Sequence, residues 1–180
     1  MSKDVLLVVD MQVGLLDGLP KHDLAGVIQR INALAAMVRR KGGLVVWIRH
    51  CGKAGDGFER DRKGWAFLPE LDHRPEDAVI EKTLNDSFAG TALHDTLQRR
   101  APDRVLIAGW ATDSCVDSTV RSAISRDYDV VVVSDGHTLS DRPHLDAPTI
   151  IRHHNWVWSD LLTNRSTRVA TTRELLAEQR

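Results

Sequence analysis

Short apolar runs recur along the chain, separated by segments whose apolar positions fall three and four residues apart. Residues 5–9, 44–48 and 105–108 are apolar on both alternations, the pattern of strands buried on both faces of a parallel sheet, and 129–134 predicts a fifth strand rich in valine. Residues 78–81 predict a further strand, and 168–171 an edge strand. Leu24, Val27, Ile28, Ile31, Leu34 and Val38 predict an amphipathic helix, with Asp23 as its cap and Lys41-Gly42-Gly43 as its stop. Helices are also predicted over 91–99, after the fourth strand (Val116, Val120, Ala123, Ile124), over 147–162 and over 172–178. Strands and helices therefore alternate. That order predicts an α/β fold, a three-layer α/β/α sandwich around a six-stranded, mostly parallel open sheet of Rossmann-like form with right-handed crossovers. With no repeat or linker, residues 1–180 are expected to form a single domain. Two stretches lack a period: 51–64, rich in glycine and charge, reads as a long surface loop and part of a lid, and 135–144 as a loop bearing His and Asp.

In such a sheet, ligands bind at the carboxyl ends of the strands. Three strands end near a side chain with chemistry to offer: the first at Asp10, the third at Lys82, and the fourth, after Gly109 and a turn, at Cys115. Thr112 as an N-cap would place Cys115 in the first helical turn, where free N–H groups and the dipole favour a thiolate. Each residue also has an ordinary reading: Asp10 as a loop anchor, Lys82 as a solvated charge, Cys115 as a packed core thiol. Together they form an acid, a cation and a thiol on one sheet edge, the makings of a nucleophilic site.

Lys and Arg total 24 against 25 Asp and Glu, so there is no electrostatic footprint for nucleic acid or an anionic membrane surface. No apolar run is long enough for a bilayer span or a secretory signal, which predicts a cytoplasmic protein. Cys51 and Cys115 lack a zinc-type spacing and are expected to be free thiols. Met11-Gln12-Val13-Gly14 after the first strand is not the G-x-G-x-x-G loop of dinucleotide binders. His137, His144, His153 and His154 show no ligand spacing; helix capping and a solvated loop account for them, and residues 141–144 read as structural or interfacial. Trp156 and Trp158 on one helix suggest a buried homo-oligomer interface, a dimer or higher, with core packing as the alternative.

Three motifs, Leu7-Val8-Val9-Asp10-Met11-Gln12, Glu81-Lys82 followed by Ser87-Phe88-Ala89-Gly90-Thr91-Ala92-Leu93, and Gly109-Trp110-Ala111-Thr112-Asp113-Ser114-Cys115-Val116, occur in this order across the chain. In this the sequence resembles the isochorismatase-like cysteine hydrolases, which include nicotinamidases and N-carbamoylsarcosine amidases. The resemblance implies Cys115 as nucleophile, Asp10 as general base and Lys82 as the residue holding both. It further implies a cis peptide before Ala111, with the Ala111 and Cys115 amides as oxyanion hole. Gln12, His50, Phe88 and Trp110 are expected to contact a small-molecule substrate. The implied reaction cleaves a C–N bond of a small amide, ureide or carbamoyl compound through a thioester. The alternatives are a nicotinamidase, or a non-catalytic small-ligand-binding protein on the same fold. Where nicotinamidases of the family carry an Asp-x-His metal site, this chain reads Arg49-His50-Cys51-Gly52-Lys53, so neither metal nor cofactor is expected. Isochorismatases proper cleave a vinyl ether without a nucleophilic cysteine, and Cys115 argues against that chemistry.

Overall fold

The first strand, β1 (Val5–Val9), is buried at every position and sits in the interior of the sheet. It is flanked by β2 (Leu44–His50) and β4 (Val105–Trp110); β3 (Ala78–Lys82) lies outside β2, and β5 (Val130–Thr138) and β6 (Thr167–Ala170) lie outside β4. All five pairings in the order β3-β2-β1-β4-β5-β6 are parallel. The structure is a computed structural model that describes residues 3–178.

Alternate residues of the central strands feed two cores. Leu6, Val8, Trp47, Leu106 and Val131 pack under α2 (Leu24–Arg40) and α6 (Thr172–Ala177) through Ile31, Leu34, Val38 and Leu175. Leu7, Val9, Ile48, Ile107 and Val132 pack under α3 (Leu93–Arg100), α4 (Asp117–Ile124) and α5 (Ala147–Ser159) through Leu97, Val120 and Trp158. Strands covered on both faces must be apolar throughout, which is why their sequences do not alternate. Among the described residues, no helix is long and apolar enough to cross a membrane.

The structure corrects several sequence expectations. Asp23 holds the N-cap position of α2 with a left-handed φ of 47° but makes no side-chain cap hydrogen bond; its carboxylate accepts from Arg30. The predicted fifth strand runs on to Thr138, taking four residues from the expected loop. A four-residue helix, α1 (Val13–Leu16), and a single 3₁₀ turn, Lys63–Trp65, are too short to leave a period in the sequence. Trp158 is wholly buried and donates its indole N–H to Asp117 (2.8 Å), so it belongs to the core, whereas Trp156 is 63% exposed.

Candidate active site

β1 hands the chain to Asp10 in the left-handed region, φ 51°, a conformation that aspartate tolerates better than most residues. The Asp10 N–H donates to the Ile48 carbonyl (3.1 Å) and its own carbonyl accepts from Gln12 N–H (2.9 Å). Lys82 is the last residue of β3, paired in register with His50. β4 leaves the sheet through a cis Trp110–Ala111 peptide and enters a π-helical turn, Thr112–Val116, that carries Cys115 into α4. The Ala111 carbonyl closes that turn, accepting from the Ser114 N–H (3.0 Å) and Val116 N–H (3.1 Å).

Three strand ends thus deliver three side chains to one buried point. Lys82 Nζ lies 2.5 Å from Asp10 Oδ2, 2.9 Å from the Leu84 carbonyl oxygen and 3.4 Å from Cys115 Sγ. The ammonium donates to the Leu84 carbonyl and to the sulfur, and forms an ion pair with Asp10. Asp10 and Lys82 are almost completely buried, and Cys115 is only 6% exposed.

Burial sets the titration of the site. It raises the Asp10 pKa above that of an ordinary carboxylate, while the Lys82 charge and hydrogen bonds from Lys82 and Cys115 oppose it. Burial also pushes the Cys115 thiol up to about 11; the Asp10 charge adds to this, and Lys82 works against it. That overturns the thiolate expected from a helix start. Thr112 is not a cap: Ala111 holds the position before the turn, and no side chain caps it. The thiol is protonated at neutral pH, beside a carboxylate made more basic by the same burial.

The other expected site residues are spread out. Gln12 is completely buried and its amide is fully engaged: Nε2 donates to the carbonyls of His50 (3.0 Å) and Trp65 (3.1 Å), and Oε1 accepts from His50 N–H (2.7 Å). It braces the wall of the site, and both of its N–H donors are used on the backbone. Phe88 is committed to packing, stacked on Tyr128 with ring centroids 6.0 Å apart and covered by the Arg126 guanidinium at 4.9 Å. His50 stays at the site. Its half-buried ring packs on Phe58 (5.8 Å) and feels both Asp10 and Lys82; burial and Lys82 lower its pKa, so it is neutral at pH 7. Trp110 bridges two apolar clusters, and its indole N–H is buried without a partner among the described residues. Two neighbours of the thiol had no sequence signal: Asn85 Oδ1 at 3.8 Å and Ser114 Oγ at 3.9 Å from Sγ.

The aperiodic loop after β2 packs down beside this wall. The Trp65 indole N–H donates to Cys51 Sγ (3.3 Å), and the Arg49 guanidinium lies over the Trp65 ring at 3.9 Å. Among the described residues, no group of three or more His, Cys, Asp or Glu converges as a metal-ion site.

His137, expected in a solvated loop, lies in β5 and is 2% exposed. Its Nδ1 is 2.8 Å from Thr112 Oγ1 and its Nε2 is 3.1 Å from Asn155 Oδ1. Because the Asn155 amide nitrogen donates to the Ser134 carbonyl (3.0 Å), its oxygen faces the ring, so Nε2 carries the proton and Nδ1 accepts from Thr112. Burial lowers the His137 pKa to about 4. The unfolded chain, with a histidine near 6.5, binds the proton first as pH falls. Stability is therefore expected to drop by roughly 3 kcal/mol between about pH 6.5 and 4 on account of this group. Urea midpoints across that range should show the drop, and His137→Gln should flatten it.

The sheet order and the converging strand ends are those of the isochorismatase-like α/β class. Residues 4–152 match the isochorismatase domain family, and the chain belongs to that family. It is 31% identical over 139 residues to a streptothricin hydrolase of Streptomyces noursei, covering 77% of this chain and 50% of that protein. The chain thus spans about half the length of that relative. It is 28% identical over 171 residues to the ureidoacrylate amidohydrolase RutB of Variovorax paradoxus, covering 74% and 68% of the two chains. The crystal structure of an isochorismatase from Pseudomonas putida KT2440 superposes with a TM-score of 0.87 at 27% identity, over 96% of this chain and 89% of that one.

Proposed function

We propose that this protein hydrolyses a C–N bond of a small amide, ureide or carbamoyl compound, with Cys115 as nucleophile, Asp10 as the proton carrier and Lys82 as the cation that holds them together. One observation carries the reading: a single buried ammonium, Lys82 Nζ, touches both Asp10 Oδ2 and Cys115 Sγ. The reactions named for the streptothricin hydrolase and the ureidoacrylate amidohydrolase support it.

In this reaction Asp10 takes the thiol proton as Sγ bonds to the substrate carbonyl carbon. The Ala111 and Cys115 N–H groups receive the developing oxyanion. Collapse of the tetrahedral intermediate breaks the C–N bond, and Asp10 returns the proton to the departing nitrogen. Water then attacks the thioester and gives a proton to Asp10; the C–S bond breaks, that proton returns to sulfur, and the acid leaves.

The test is ammonia release from a panel of primary amides, ureides, carbamoyl compounds and nicotinamide, by the wild-type protein and by Cys115→Ala. Release that the variant loses supports the reading; equal release by both, or none by either, overturns it. The pH profile of kcat/KM is expected to be bell-shaped. Its acid limb lies above the ordinary carboxylate range, since Asp10 must be ionised and its pKa is raised. The alkaline limb lies near 11, where the thiol loses the proton that the leaving nitrogen needs.

A further inference from the structure

The reaction above makes no use of the buried His137 or of the helix behind it, yet both converge on the turn that carries Cys115. That turn, Thr112–Val116, is gripped from α5 at its two ends. At its start, Asn155 holds the His137 ring by Nε2 (3.1 Å), and the ring's Nδ1 holds the Thr112 hydroxyl (2.8 Å). At its end, the Trp158 indole N–H, one turn further along α5, donates to the carboxylate of Asp117 (2.8 Å), the residue that follows the turn. Thr112, His137 and Trp158 are all nearly or fully buried, while Asn155 and Asp117 are half-buried, so the Thr112 hydroxyl and the Trp158 N–H have these acceptors in place of water. The Trp158 ring also stands edge-on to His137 (centroids 5.1 Å apart) and joins the two lines into one unit. On the outer side, Arg142 closes the turn with a two-pronged ion pair to Asp113 (2.8 and 2.7 Å).

We infer that α5 is a positioning clamp for the nucleophile: the Asn155–His137–Thr112 line and the Trp158–Asp117 bond set the π-helical turn so that Cys115 Sγ stays against Asp10 and Lys82. None of the clamp residues needs to touch substrate. Their role is to fix a turn whose own backbone bonds from Ser114 and Val116 both converge on the single Ala111 carbonyl. The inference rests on the proposed roles of Asp10 and Cys115.

The test reads the position of the sulfur without needing a substrate. Iodoacetamide alkylation of Cys115 is followed against pH by mass spectrometry, with Cys51 as internal control, at a temperature where every variant is folded. In the wild type, burial and Asp10 hold the midpoint near 11. Thr112→Val keeps the shape of the side chain and removes its donor; Trp158→Phe keeps a ring and removes the other donor. Each is expected to let the turn swing outward and to lower the midpoint by about one unit or more, toward an ordinary thiol. Thr112→Ser retains the hydroxyl and should stay within about 0.3 units of wild type. A role confined to stability would change melting temperatures and leave all midpoints where they are, and that result overturns the clamp. Asp10→Asn in the same series separates the two levels. If its midpoint does not move, the thiol is not coupled to Asp10 and the proposed reaction itself fails; if it moves and neither Thr112→Val nor Trp158→Phe does, only the clamp fails.

Discussion

Asp10→Asn is expected to abolish turnover, by roughly 1,000- to 10,000-fold in kcat, while making the thiol easier to ionise. The two effects have opposite signs because one carboxylate does two things. Its negative charge disfavours a thiolate beside it, and with burial it holds Cys115 at about 11. Neutralise it, and the Lys82 ammonium, 3.4 Å from Sγ, favours the thiolate unopposed. The alkylation midpoint of Cys115 should therefore fall. Yet the asparagine amide cannot accept the thiol proton or deliver it to a departing amine. Faster alkylation with lost hydrolysis is the signature expected of a proton carrier. If Asp10 were only a structural anchor, activity per folded molecule would be unchanged. The substitution also leaves a buried ammonium without its counter-ion, which costs about 3 kcal/mol, so kinetics should be measured well below the variant's melting temperature.

Gly109→Ala is expected to be the most damaging single change to folding. Gly109 sits opposite Val9 where β4 runs beside β1, at a φ of 125° that L-residues rarely adopt. A Cβ there would fall 2.6 Å from the Val9 nitrogen and closer still to its carbonyl oxygen, both main-chain atoms of a fully buried strand. No side chain can rotate to relieve that contact; one of the two central strands would have to move. The pairing of β4 with β5 slips between Ile107 and Gly109, just before Trp110 pairs with Thr138 and the chain leaves the sheet at Ala111. A loss of 4 kcal/mol or more is expected, read as a shift of the urea midpoint or as failure to accumulate folded protein. Stability within about 1 kcal/mol of wild type would contradict this account of the strand crossing.

Much of this was legible in the sequence where the physics is local. Strands buried on both faces write themselves as uninterrupted apolar runs, so β1, β2 and β4 were legible nearly to the residue. Asp10, Lys82 and Cys115 were legible as strand ends because all parallel strands finish on one edge. What depends on distant packing was not. The thiol's titration follows from how deeply three elements bury it, which no window around Cys115 encodes. The end of β5 beyond Ser134 was hidden because Asp135 and His137 interrupt the apolar run; Asp135 is held by Thr172 and Arg30, and His137 by Thr112 and Asn155, all on other elements. Gln12 and Phe88 sit in the right motifs, but a motif does not say which way a side chain points. Gln12 turned to backbone groups and Phe88 to a tyrosine forty residues on.

The pairing of β1 with β4, Val5 opposite Val105, has a consequence for biosynthesis. At about 5–20 residues per second, the ribosome needs on the order of 5–20 s to make the chain between the two strands. Through that interval β2 can cover only one side of Val-Leu-Leu-Val-Val, leaving the other with open hydrogen-bonding groups guarded only by the charges that flank the run, Asp4 and Asp10. The most sheltered segment of the finished protein is thus its most vulnerable while the chain is being made, and low yield from fast or hot expression would trace to β1 before it traced to any loop.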